Sequence, residues 1–140
     1  MKNFSLPMYN SETWQYINRI IKKYTPKCII LYGSLARKDY NERSDVDLVI
    51  ISDLLPSNPL ERLAQLMDLN DTFAPIEPLA YTSEEFELML EKRHATALFA
   101  LNDGIPLIGL EHFSQLKNKF HQIVQKHGLK LIESAWIITS

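Results

Sequence analysis

The sequence predicts one α/β (α+β) domain in which short buried strands alternate with amphipathic helices. Two β-branched runs, at residues 27–32 and 45–51, have the composition of buried strands. Segments with apolar residues at every third or fourth position precede and follow them, and these predict helices. The 140 residues are 46% hydrophobic, which is enough for one ordinary core and too much for a disordered chain. We therefore treat residues 1–140 as a single domain.

The first helix is predicted to end at Tyr24, just before the first strand. Ser11 is available as its N-cap, and Thr25-Pro26 stops it. Between the two strands, residues 35–44 are mostly polar and predict a short helical turn followed by an exposed loop. The helix places four apolar residues on one face: Trp14, Ile17, Ile21 and Tyr24.

The middle of the chain predicts a helix followed by a third strand. Asn58 is a cap before Pro59 at the first helical position, and the helix continues to about residue 70. The strand over residues 76–81 is flanked or interrupted by prolines, which favours the edge of a sheet. The helix has one apolar face, formed by Leu60, Leu63, Leu66 and Met67.

The last third of the chain is predicted to be mainly helical. A capping box formed by Thr82 and Glu85 begins one helix, and residues 95–103 form another. A short strand over residues 105–108 precedes a final helix closed by Gly128. The residues after it are apolar, without a period that favours helix or strand.

Charge and cysteine content exclude several classes of protein. Lys and Arg number 15 and Asp and Glu number 17, so no broad basic surface attracts nucleic acid. Cys28 is the single cysteine, which excludes an intrachain disulfide and agrees with a reducing compartment. Neither a signal peptide nor a long apolar run is present. We expect a cytoplasmic protein without a membrane partner, and a homo-oligomer stays open.

Asp45 and Asp47 are the chemically unusual residues of the second strand. Residues two apart in a strand point to the same face, so the two carboxylates lie about 6.6 Å apart along it. Beside an apolar run they repel each other and lose hydration unless a cation or solvent relieves them. Mg²⁺ or Mn²⁺ would relieve this repulsion, and such ions usually bind substrate phosphates as well. A pair of carboxylates of this kind therefore indicates phosphoryl chemistry.

Gly33 and Ser34 follow the first strand and have the groups needed to hold a phosphate. Glycine lets the backbone come close to a phosphate, and the serine hydroxyl and nearby N–H groups can donate to its oxygens. Neighbouring strands lie about 4.8 Å apart, so this turn can hold a triphosphate over the pair of aspartates. Taken alone, Gly-Ser would predict an ordinary turn.

Ten residues separate Gly33-Ser34 from the segment Asp45-Val46-Asp47. This pattern resembles the Gly-Ser-x10-Asp-x-Asp signature of the DNA polymerase beta-like nucleotidyltransferase superfamily, with the motif core at about residues 13–109 and a C-terminal helix and tail at 110–140. Its short form, the minimal nucleotidyltransferase, is often encoded beside a HEPN-domain protein as a toxin–antitoxin pair. The resemblance implies a nucleotidyltransferase fold with a mixed sheet of about four strands flanked by helices.

The resemblance also implies ATP as substrate and Mg²⁺ held by the two aspartates and a third carboxylate, for which Glu77 is the best match. Asp is commoner there in the family, and Pro78 is an unusual neighbour. Small members typically have glycine where this chain has Lys38. The predicted site comprises Asp45, Asp47 and Glu77 as catalytic and metal-binding residues, and Gly33, Ser34, Arg37 and Lys38 as nucleotide-binding residues.

Three functions are compatible with these residues. The first is a Mg²⁺-dependent transferase that moves AMP from ATP to a hydroxyl of a partner protein, a HEPN toxin encoded nearby, so that the chain is an antitoxin. The second is an antitoxin or nucleotide-binding module that masks its partner without catalysis. The third is a glycosyltransferase, which also uses Asp-x-Asp but in far longer chains that lack the Gly-Ser turn. The simpler alternatives are aspartates that face water at a strand end, a surface glutamate at position 77, and solvated loop charges at positions 37 and 38.

Overall fold

The computed structural model describes residues 4–132 and 135–139 as six helices and six strands. The helices are α1 (Asn10–Tyr24), α2 (Ser34–Arg37), α3 (Pro59–Asp68), α4 (Ser83–Glu91), α5 (Ala95–Asp103) and α6 (Leu110–His127). The strands are β1 (Cys28–Tyr32), β2 (Val46–Ile51), β3 (Ile76–Tyr81), β4 (Ile105–Ile108), β5 (Leu129–Ile132) and β6 (Ala135–Ile138).

Four of the strands form one mixed sheet in the order β3-β2-β1-β4. β1 is antiparallel to both of its neighbours, whereas β2 and β3 are parallel and joined through α3. A parallel pair needs such a crossover because the chain must return to the starting edge of the sheet. The predicted mixed sheet is therefore confirmed, and β3 is an edge strand as its prolines predicted.

The sheet separates two apolar cores. One core packs α1, α2 and α3 against one face through residues such as Ile17 and Leu66. The other packs α4, α5 and α6 against the opposite face through residues such as Phe86 and Phe120. Because both faces are covered, β1 and most of β2 are buried apolar runs rather than alternating ones.

Most helix ends follow local signals in the sequence. The side chain of Asn58 accepts hydrogen bonds from the N–H groups of Leu60 and Glu61 at the start of α3. Thr82 and Glu85 form the predicted capping box of α4. Ser11 as a cap was wrong, because α1 begins at Asn10 and no side chain caps it.

Two segments differ from or extend the sequence prediction. The apolar face predicted for α3 is largely uncovered: of its four residues only Leu66 is buried. The apolar tail forms an antiparallel hairpin of β5 and β6, in which Trp136 packs against Phe120. Within the described ranges, no helix combines the length and apolar character needed to cross a membrane.

Candidate active site

The predicted carboxylates meet at one end of the sheet. Asp47 on β2 is the register partner of Tyr32 on β1 and of Glu77 on β3. Register partners share a face, so these three side chains form one row across three strands. Asp45 lies just before β2, two residues from Asp47, and its charge acts on the carboxyl of Asp47. The strand pairing thus brings together residues that are far apart in sequence.

The pKa of Asp47 reflects both its burial and the charges around it. Burial of the half-buried carboxyl, the charges of Glu77 and Asp45 and a hydrogen bond with Glu77 raise it to about 6, while Arg37 acts in the opposite direction. Like charges held together disfavour ionisation, and a cation placed among them relieves the repulsion. The negative charges of this row would therefore be stabilised by a bound cation.

Gly33 is placed directly against this row. Its φ of 76° is in the region that favours glycine, and a Cβ atom there would collide with the carboxylate of Asp47. The carbonyl of Gly33 accepts the N–H groups of Ala36 and Arg37, which fixes the turn into α2. Ser34 is the first residue of α2 and lies next to Gly33. Glycine at position 33 is thus required by both the turn and the carboxylate.

Lys38 closes α2 in a left-handed conformation with φ 68°. Glycine adopts this conformation without strain, whereas other residues adopt it at a cost of about 1 kcal/mol or more. The geometry explains why small members of the family typically have glycine here, and the turn is retained with lysine. Arg37 is exposed, and its Nε lies 3.1 Å from Oδ2 of Asp39. Neither cation is fixed against the carboxylate row by a hydrogen bond in the described part of the chain.

Pro78 is accommodated because of its position on the edge strand. The N–H groups of Val46 and Ser52 donate to the carbonyls of Pro75 and Tyr81. With the alternation of a parallel ladder, the backbone groups of Pro78 point to the outer edge, where no N–H is needed. The proline that makes this segment unusual therefore leaves the register of Glu77 intact.

Sequence reasoning missed Tyr32. Burial raises its pKa to about 12, and the charges of Asp47, Tyr81 and Glu77 act in the same direction. The phenol therefore remains protonated and is a potential donor beside the carboxylates. Its position immediately before Gly33 was the available signal, but only the strand register places it next to Asp47.

The donor set is of the kind that Mg²⁺ binds. Mg²⁺ prefers oxygen ligands and is usually held by one or two carboxylates together with substrate phosphates. Asp47 with Asp45 or Glu77 fits this requirement. Among residues 4–132 and 135–139, no three His, Cys, Asp or Glu side chains are arranged to hold a metal ion by themselves. The metal-binding role of all three carboxylates stays a prediction.

Comparison with known proteins identifies the family. The family model described as polymerase beta, nucleotidyltransferase matches residues 15–134. The chain belongs to this family. This match confirms the family to which the sequence motifs pointed, and with it the prediction of a nucleotidyltransferase.

Individual relatives agree with this assignment. A Methanocaldococcus jannaschii protein provisionally named a protein adenylyltransferase is 45% identical over 42 residues, 29% of this chain, and the matched part spans 42% of that protein. A chain of a toxin–antitoxin crystal structure with AMP-PNP has 17% identity and a TM-score of 0.53, covering 82% of this chain and 87% of that one. A Sulfolobus solfataricus protein provisionally named a nucleotidyltransferase has 13% identity and a TM-score of 0.50, covering 69% and 76%. The two structures show a shared fold.

Proposed function

We propose that this chain transfers AMP from ATP to a hydroxyl group of a partner protein, with Mg²⁺ as cofactor. The observation that carries the proposal is the pairing of Asp47 with Glu77 beside the Gly33 turn, with Asp45 two residues away and its charge acting on Asp47. Membership of the nucleotidyltransferase family supports the reaction type. The name of the Methanocaldococcus jannaschii relative supports a protein as acceptor.

In the proposed reaction, the acceptor oxygen bonds to the α-phosphorus of ATP. The bond from that phosphorus to the oxygen leading to the β-phosphate breaks, pyrophosphate leaves, and Glu77 receives the proton of the hydroxyl. Mg²⁺ held by Asp45 and Asp47 would supply Lewis-acid stabilisation of the phosphate charge. Gly33 and Ser34 hold the β- and γ-phosphates.

The cations after the turn are proposed to assist nucleotide binding. Arg37 and Lys38 are exposed residues next to the turn, and both can reach a triphosphate whose charge attracts them. Because Arg37 already pairs with Asp39, the nucleotide would compete with that ion pair. We place both residues in the nucleotide-binding set on these grounds.

We propose a HEPN-domain toxin encoded next to this chain as the partner, so that the chain is its antitoxin. This choice is supported by the resemblance of the Gly-Ser and Asp-x-Asp motifs to those of the minimal nucleotidyltransferases, which are often encoded beside a HEPN-domain protein. The structural relative crystallised as part of a toxin–antitoxin complex is consistent with it. A protein substrate brings its own surface to the site, so the hydroxyl of a Tyr, Ser or Thr can reach Glu77.

The test is incubation of the partner with ATP, Mg²⁺ and this protein, followed by intact mass. Each transferred AMP adds about 329 Da, as nucleotidyl transfer requires. The double variant Asp45→Asn, Asp47→Asn is the matched control because it removes the ligand charges with little change in volume. We expect no added mass with it. An unmodified partner in the presence of the wild-type chain would contradict the proposal.

The second candidate is a module that masks its partner without catalysis. It is favoured by Glu77 where the family commonly has Asp, and by Lys38 in a turn suited to glycine. This function predicts that the Asp45→Asn, Asp47→Asn variant binds and silences the partner as well as the wild type does. The same incubation, with a toxicity assay added, separates the two candidates.

A further inference from the structure

An apolar groove runs along the outer side of β3, between α3 and α4. Its volume is about 500 Å³. Pro78, Leu79 and Ala80 form its floor, and Leu63 and Leu88 line its two sides. None of the seven predicted site residues lines it, so this groove is distinct from the proposed nucleotide site.

The leucines of this groove are largely uncovered. Leu63, Leu79 and Leu88 retain 46%, 37% and 48% of their surface accessible to solvent. Leu60 and Met67 extend the apolar surface along α3 and are also exposed. A single exposed leucine is ordinary, but a contiguous apolar set on two helices and a strand is typical of a binding surface.

The edge of β3 is closed to an added strand. Pro78 has no N–H to donate, and the carbonyl of Ala80 already accepts a hydrogen bond from Nη1 of Arg62 at 3.1 Å. Arg62 is held in place by Glu85 at 2.7 Å and by the carbonyl of Pro56. An occupant must therefore bind through its side chains, as an amphipathic helix does in a groove.

Charge defines the chemistry of that helix. Arg62 is the single basic residue of α3, β3 and α4, and Glu85 neutralises it. Two further acidic residues of α4 lie near Lys119 of α6. The remaining acidic residues of these three elements are exposed: Glu61, Asp68, Glu77 and Glu84. An apolar helix face flanked by Lys or Arg is complementary to this surface.

The groove is continuous with the proposed catalytic row. Glu77 and Leu79 are two residues apart on β3 and lie on the same face, about 7 Å apart along the strand. A helix that covers Leu79 therefore lies next to the carboxylate proposed to receive the proton of the acceptor. Binding in the groove and presentation of a hydroxyl at Glu77 are geometrically compatible.

We propose that this groove binds a basic amphipathic helix of the acceptor protein and thereby presents its hydroxyl to Glu77. The inference rests on the proposed function, because it assigns the docking surface of the same reaction. Leucine contacts would supply the affinity, and the acidic rim would orient the helix.

The experiment compares charge substitutions inside and outside the groove. The groove variant is Leu63→Asp with Leu88→Asp, and Leu63→Ala with Leu88→Ala is a milder form in case the first does not fold. The control is Leu110→Asp, because Leu110 is 67% exposed and lies on α6 outside the groove. The probe is the protein encoded next to this chain. AMP transfer is measured by intact mass at varied probe and ATP concentrations, and probe binding by calorimetry.

We expect the groove variants to raise the KM for the probe about tenfold or more, which corresponds to a loss of about 1.4 kcal/mol for the two leucines together. The KM for ATP and the behaviour of Leu110→Asp should not change. An unchanged probe KM in the groove variants overturns the inference and leaves the proposed function standing, and a raised ATP KM instead assigns the groove to the nucleotide.

The binding measurement separates failure of the two proposals. If the wild type binds the probe without modifying it and the groove variants lose binding, the transfer reaction fails while the docking surface stands. If the wild type neither binds nor modifies the probe, both fail.

Discussion

Replacement of Asp47 by Asn should stabilise the metal-free protein at neutral pH. Asn keeps the shape of Asp but cannot ionise. In the folded chain the pKa of Asp47 is about 6, against an ordinary value of 3.8. The folded state therefore holds this proton more tightly than the unfolded state, and stability is lost as pH rises from about 4 to about 6.

The size of the effect follows from that difference in pKa. A difference of about two pKa units corresponds to ~3 kcal/mol, since each unit is worth 1.36 kcal/mol. Because the carboxyl is half-buried, solvent screening reduces this to ~1–2 kcal/mol. The melting temperature of Asp47→Asn at pH 7 should therefore exceed that of the wild type by roughly 3 to 8 °C.

The assay is a series of thermal melts in chelator at pH 4, 5, 6 and 7, for the wild type and Asp47→Asn. We expect the difference between them to be largest at pH 7 and to become small near pH 4, which is close to the ordinary pKa of 3.8, because the folded state is then protonated and the unfolded state partly so. Asp68→Asn is the control, because Asp68 is exposed on α3. A lower melting temperature for Asp47→Asn at pH 7, or a difference independent of pH, would refute the repulsion argument and make the carboxylate structural.

Three further substitutions test how the site and the groove are held. Gly33→Ala should destabilise the fold by about 2 kcal/mol or more and abolish AMP transfer, because the alanine Cβ would collide with the carboxylate of Asp47 and because φ at this position is positive. An unchanged free energy of unfolding in urea would contradict this. Arg62→Met should lower the free energy of unfolding by about 2–4 kcal/mol, since it removes hydrogen bonds to two carbonyls and to Glu85; a loss below about 1 kcal/mol in urea would show that these bonds are dispensable. Thr82→Ala should cost about 1 kcal/mol through loss of the capping box, measured in the same way, and an unchanged midpoint would remove the cap from the account of α4.

Local signals predicted local structure well. Asn58 and the pair of Thr82 and Glu85 mark helix starts because their side chains bond to N–H groups two or three residues away. Ser11 was wrong as a cap because α1 already begins at Asn10, so that Ser11 lies inside the helix rather than before it. Such signals depend on a few neighbouring residues, which the sequence displays directly.

The amphipathic face of α3 shows where periodicity stops being informative. Spacing shows that Leu60, Leu63 and Leu66 share a side of the helix, but it does not show what covers that side. In the structure only Leu66 is buried, and β3 is the last strand of the four-stranded sheet, so no further strand of that sheet covers Leu60 and Leu63. Of the exposed leucines, Leu63 lines the groove for which a docking function is proposed, and Leu60 extends its apolar surface.

The sequence by itself determined the fold class, the order of the main elements, and the pairing of the Gly33-Ser34 turn with Asp45 and Asp47. These features depend on spacing along the chain, so composition and motif are sufficient to predict them. Tertiary structure decided that Glu77 and Tyr32 flank Asp47, that Pro78 faces the open edge, and that an apolar groove adjoins the row. Those facts depend on strand order and register, which many contacts between distant residues set together and which short stretches of sequence leave open.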